Sequence, residues 1–220
     1  MRFLQFAVAA IGLVASTTFA SVTDPKLGVE YVQLASPQPA QSVGKKVEVI
    51  EFFMYHCPHC YVLEPSLAEW VKKNSDKILF KRVHMPSAGP NDPEAHLYLT
   101  LEAMGKLDEM HAKVFKAIHV DRIRLFKDDV ILDWVTKNGI DKAKFVDTWN
   151  SFGVMSKLKR LPAVLDAYKI DSVPTLVVDG RLMTSPSIVD AANKGMGEAA
   201  LSKATVQVLD GMVNQLAKKK

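Results

Sequence analysis

The sequence predicts an α/β fold in which one sheet-forming unit is interrupted by an all-helical insert. Three observations predict it. Segments rich in β-branched and aromatic residues occur at 46–55, 78–85 and 173–184. The long stretch from 94 to 168 instead places apolar residues at three- and four-residue steps, the helical period. The only two cysteines, Cys57 and Cys60, stand where the first strand-like segment gives way to a helical pattern.

The chain has 220 residues, and its opening reads as a targeting signal. Arg2 is a short positive start, residues 3–15 are apolar apart from Gln5, and Thr18-Phe19-Ala20 offers small residues for a signal peptidase. The apolar run is short and Ala-rich for a bilayer span, which takes about 20 residues. The expectation is a signal peptide over 1–20, cleaved after Ala20, rather than an uncleaved anchor. No later stretch is apolar enough to span, so a soluble mature protein is expected. Formal net charge is +4, and losing Arg2 makes it +3, too mild a balance to argue for nucleic acid. The terminal Lys218-Lys219-Lys220 reads as a solvated tail.

The elements follow in order. Residues 21–45 form a leader rich in Pro, Ser and Gln, with one edge strand expected in 28–35. Residues 46–55 are continuously apolar near their end, which suits a buried central strand. From Cys57 to about Ser75, Cys60, Leu63, Leu67, Trp70 and Val71 recur at helical spacing, with Pro65 inside. Residues 78–85 read as the next strand, and 86–93 as a Pro-rich loop. The helical run then carries stripes of Leu97, Leu101 and Met104, of Met110, Val114, Phe115 and Ile118, and of Val130, Ile131, Trp134 and Val135. A shorter stripe joins Phe145 to Trp149, and these positions read as core. Val173 to Asp179 is strand-like, Asp179-Gly180 suits a two-residue hairpin, and 181–184 pair back. Helical patterns over 186–194 and 198–218 finish the chain.

An exported protein meets oxidants, so its cysteines are candidates for a disulfide. A bridge from Cys57 to Cys60 closes a very short loop and so restrains the unfolded chain little. Stability is therefore a poor reason for the pair, and chemistry is a better one. A cysteine at the first turn of a helix faces free N–H groups and a partial positive charge, which favour the thiolate. The dipole contributes roughly 0.3–1 kcal/mol, and up to ~2, so alone it acidifies a thiol by about one pH unit. His59 is placed to add a charge or an N–H beside the sulfur. Pro58 lacks an N–H, which costs nothing in a first turn. Cys57 is expected to be partly exposed and nucleophilic, and Cys60 more buried and resolving. Stabilising the thiolate of Cys57 makes the disulfide form more oxidising.

Glu51-Phe52-Phe53, Cys57-Pro58-His59-Cys60, Tyr61, the helical insert and Val173-Pro174 together resemble the DsbA family, bacterial periplasmic thiol–disulfide oxidases. The resemblance implies a thioredoxin-like fold over 21–85 and 170–220, with the helical domain inserted at 86–169. It implies that Pro174 is cis and faces the disulfide, and that Val173 offers backbone hydrogen bonds to extended substrate. It implies that Glu51 is a buried acid with a raised pKa that relays the proton of Cys60. It implies no cofactor, unfolded exported proteins as substrates, a monomer, and a quinone-linked, DsbB-like membrane partner that restores the disulfide. The family often places a lysine near that acid. Here Arg82 stands in the equivalent strand with Lys81 beside it, which leaves the partner of Glu51 open.

Two other readings compete. A disulfide isomerase or reductase of the same fold usually dimerises through an extra N-terminal domain, for which the leader is too short. A metal-binding module would use His56, Cys57, His59 and Cys60, but these are cramped and no second His/Cys cluster completes a site in sequence.

Overall fold

The structure is a computed structural model that describes residues 22, 24–41 and 44–218. The signal peptide and its cleavage after Ala20 lie outside them.

Strand β2 (Val47–Phe53) is buried at every position, because other elements cover both its faces and both its edges. It lies in a five-stranded sheet of order β1-β5-β4-β2-β3. The others are β1 (Val32–Gln33), β3 (Ile78–His84), β4 (Thr175–Val178) and β5 (Leu182–Thr184). Only β2 and β3 run parallel, and the helix α1 (Pro58–Lys73) makes the crossover that parallel strands require. The β4–β5 hairpin turns at Asp179-Gly180, both with positive φ. Glycine is needed at 180 because φ is positive and a Cβ would strike the Gln38 carbonyl, in a backbone approach closed by the Gln38 N bond to the Gly180 carbonyl at 2.8 Å.

The period of two along β2 sorts its residues between two cores. Val47 and Val49 face Leu63, Leu67 and Trp70 of α1 and Val208, Leu209 and Met212 of α8 (Glu198–Ala217). Ile50 and Phe52 face Leu34, Leu165, Ile170 and Val177 on the other side.

Five helices stand between β3 and β4: α2 (Pro93–Ala103), α3 (Leu107–His119), α4 (Asp128–Lys137), α5 (Lys142–Trp149) and α6 (Phe152–Tyr168). Their core contains the stripes expected from sequence, including Leu97, Leu101, Met110, Val114, Phe115, Ile131, Trp134, Val135, Phe145 and Trp149. Phe53, Tyr55, Cys57 and Cys60 belong to this same cluster. The end of β2 and the start of α1 are thus packed against the insert, and the cysteines sit at the seam. Helix α6 contributes Leu158 and Leu161 to the insert and then Leu165 to the sheet's far face. After β5 comes α7 (Pro186–Ala192), capped by Ser185, and then α8. Among the described residues no helix is long and apolar enough to cross a membrane.

Candidate active site

Helix α1 begins at the cysteines. Cys57 is its N-cap, with extended φ/ψ of −75° and 117°, and Pro58 follows within the first turn. No acidic residue occupies that turn, so nothing on the helix itself competes for its positive end. The Cys57 sulfur takes the place of the usual capping oxygen, accepting from Cys60 N at 3.4 Å. Both cysteines are free thiols.

The two sulfurs are unequal. Cys57 keeps 7% exposure and Cys60 none. Cys57 is thus less open than its place at a helix mouth suggests, because the segment before β4 covers it. Its thiol donates to the Val173 carbonyl at 3.6 Å, from 116 positions away in sequence. The Val173–Pro174 peptide in that segment is cis. The hydrogen bond from the Cys60 thiol lowers the Cys57 pKa to about 6, assisted by the backbone N–H groups of Cys60 and His59 and opposed by burial. Burial pushes the Cys60 thiol far above its ordinary value, and holding its proton for the Cys57 sulfur pushes it further.

His59 also has a partner outside the cysteine pair. Its Nδ1 lies 3.1 Å from Glu198 Oε1 at the start of α8, and its side chain is 68% exposed. The imidazole is thus engaged by Glu198 in solvent, and its charge is the weakest of the main influences lowering the Cys57 pKa.

Glu51 is fully buried on the face of β2 that meets α1. The parallel register sets Glu51 beside Arg82 and Ile50 beside Lys81. Alternation therefore sends Arg82 to the side of Glu51 and Lys81 to the side of Glu48. Arg82 Nε donates to Glu51 Oε2 at 2.7 Å, and Lys81 Nζ to Glu48 Oε2 at 2.7 Å. Burial raises the Glu51 pKa to about 7, with Arg82 holding it back and Glu64 pushing it up.

Several groups in contact with this site escaped sequence reasoning. Arg82 Nη2 also donates to both oxygens of Glu64, at 3.0 and 2.9 Å. Glu64 lies 3.5 Å from His111 Nε2. Burial lowers the His111 pKa, and its Nδ1 lies in hydrogen-bond contact with Tyr55 Oη at 2.9 Å. Burial alone would raise Glu64, but His111 and Arg82 together bring it below its ordinary value. A buried chain thus runs Glu51–Arg82–Glu64–His111–Tyr55 and ends in the loop that carries Cys57. His119 of α3 donates from Nε2 to the Tyr55 carbonyl at 2.8 Å and stacks on Tyr61, pinning that loop to the insert. The four donors of the metal reading diverge: His56 turns to Glu94 and His59 to Glu198. Among the described residues no group of three or more His, Cys, Asp or Glu could hold a metal ion.

Comparison with known proteins agrees with this chemistry. The family model described as DSBA-like thioredoxin domain matches residues 91–193. The thiol:disulfide interchange protein DsbA of Burkholderia cepacia is 36% identical over 219 residues, covering 100% of this chain and 99% of that protein. The crystal structure of Pseudomonas aeruginosa DsbA superposes with a TM-score of 0.76 at 33% identity, covering 90% of this chain and 98% of that one. A Proteus mirabilis DsbA solved with a non-covalently bound peptide gives a TM-score of 0.68 at 25% identity, covering 89% and 99%. A CxxC on a helix mouth is shared by many proteins, but a match along the whole length, insert included, is not: the chain belongs to the DsbA family and is a thiol:disulfide oxidoreductase with a thioredoxin fold and a helical insertion.

Proposed function

We propose that this oxidoreductase works as an oxidase, donating the Cys57–Cys60 disulfide to unfolded proteins exported to the periplasm. The observation that carries the reading is the opposed acidity of the two sulfurs, with Cys57 lowered to about 6 and Cys60 raised. A substrate thiolate attacks the Cys57 sulfur, the Cys57–Cys60 bond breaks, and Cys60 leaves with the electron pair. Cys60 is a poor thiolate and must take a proton; Glu51, with a pKa near 7, supplies it. A second substrate thiolate then attacks the substrate sulfur of the mixed disulfide. Cys57 departs as a stabilised thiolate, and the substrate holds the new disulfide.

Val173 supports the substrate side of this reading. Its carbonyl lies beside the Cys57 sulfur, where an extended peptide can add as a strand and present its own cysteine. The Proteus mirabilis relative was solved with a cysteine-containing peptide, PWATCDS. Residues 1–20 serve as the export signal, with cleavage after Ala20. The reduced enzyme is a monomer, reoxidised by a membrane partner that passes the two electrons to quinone. The test is the equilibrium of Cys57–Cys60 with a glutathione buffer. An oxidase disulfide is reduced at oxidising glutathione ratios, whereas one as resistant as a structural crosslink would overturn the reading.

A further inference from the structure

His56 immediately precedes the nucleophile and takes no part in the exchange of Cys57 and Cys60 with substrate. His56 Nδ1 lies 2.6 Å from Glu94 Oε2. Glu94 is 1% exposed, and its other oxygen has no hydrogen-bond partner among the described residues. A carboxyl group has therefore been taken out of water at the first turn of α2, with the His56 imidazole against one of its oxygens. Burying a carboxylate is costly without a partner, so the arrangement favours a protonated imidazole. The His56 side chain is only 30% exposed, and its ring meets that of Phe126, itself 53% exposed, edge to face with centroids 6.3 Å apart. The ring of His59 is open to solvent and screening, while that of His56 is shielded and fixed.

We propose that His56, held by the positioning residue Glu94, is a second cation that stabilises the departing Cys57 thiolate and so strengthens the enzyme as an oxidant. This rests on the reading of Cys57 as the disulfide-donating sulfur. The groups facing His56 are Glu94 and Asp92 at the start of α2, Cys57 at the start of α1, His84 on β3, and the uncharged Phe126 ring before α4. The hydrogen bond to Glu94 raises the His56 pKa against the effect of burial, and the charges of Glu94, Asp92 and Cys57 add to it. His84 is buried and neutral, with a pKa near 3, so it places no competing charge there in the working range. The coupling to Cys57 is reciprocal: a thiolate that favours the imidazolium is favoured by it to the same degree. As pH rises through the His56 pKa the cation is lost, and the contribution goes with it.

The experiment compares His56→Phe, which keeps an aromatic edge against Phe126, with Glu94→Gln and the wild type. Thiolate absorbance gives the Cys57 pKa, and the glutathione equilibrium gives oxidising strength. The expected result for His56→Phe is a higher Cys57 pKa and an equilibrium shifted about three- to tenfold toward the protein disulfide. Glu94→Gln should match the wild type in acid and approach His56→Phe as pH rises, at a lower pH than the wild type does. A Cys57 pKa and glutathione equilibrium in His56→Phe equal to those of the wild type, whatever the melting temperature, would overturn the proposal and leave the pair a structural tie. An unshifted Cys57 in the wild type would instead overturn the donor reading on which the proposal rests.

Discussion

Arg82 donates to Glu51 through Nε at 2.7 Å, inside the sheet-to-helix core. The same guanidinium reaches Glu64 through Nη2, so one cation compensates two buried carboxyl groups. An arginine suits this better than a lysine, because its planar fork serves two partners at once and it keeps its charge.

Replacing Arg82 with Met should therefore destabilise the protein strongly. Breaking a buried ion pair from one side costs about 3–5 kcal/mol, since it leaves uncompensated charge. Urea unfolding at neutral pH should show that loss, and the deficit should shrink in acid as Glu51 and Glu64 take up protons. A loss of the same size at every pH would mean that packing, not charge, is what Arg82 supplies.

Glu51 sets a second prediction. Its carboxyl holds a proton up to about pH 7 in the folded chain and only to 4.5 in the unfolded one. Folding takes up a proton between those values, so this group makes stability fall as pH rises through that window. Glu51→Gln should flatten the fall by up to about 3 kcal/mol across it. The variant should also slow disulfide donation, because Cys60 loses its proton source. Stopped-flow reaction with a dithiol peptide checks this, and an unchanged rate would remove Glu51 from the proton path.

Cys60→Ser should accumulate mixed disulfides with exported proteins, all on Cys57, readable by mass spectrometry. Without Cys60 the intermediate has no internal thiol to reverse it. Cys57→Ser should capture nothing, because Cys60 is fully buried.

Much of this was legible in the sequence. β-Branched and aromatic segments marked the strands, the 3.6-residue period marked the helices, and Asp179-Gly180 marked the hairpin. The junction of 46–55 with Cys57 put a thiol at a helix mouth. What escaped were groups whose meaning depends on partners far along the chain. Glu64 and His111 read as ordinary polar residues of their helices until Arg82 joins them, and Glu94 as a routine first-turn acid until His56 meets it. Cys57 reads as open in the sequence because Val173, which covers it, comes from beyond the insert. Choosing between Lys81 and Arg82 needed the register of β2 on β3, which no single strand's composition encodes.

The reduced protein should also respond to pH through Cys57. Its folded pKa of about 6 lies below the ordinary 9, so folding releases a proton between them. Stability of the reduced form should rise with pH across that window and be lost as pH falls through 6, by up to about 4 kcal/mol. Urea unfolding of the reduced wild type against Cys57→Ser isolates the effect, and parallel curves would contradict it.

The most direct measurement is the ultraviolet titration of the thiolate in the reduced protein. The account predicts a single cysteine ionising with a midpoint near 6, absent in Cys57→Ser, with Cys60 silent through the accessible range. A midpoint near the ordinary thiol value of 9 would contradict the claim that this helix mouth makes Cys57 a leaving group and the chain a donor of disulfides.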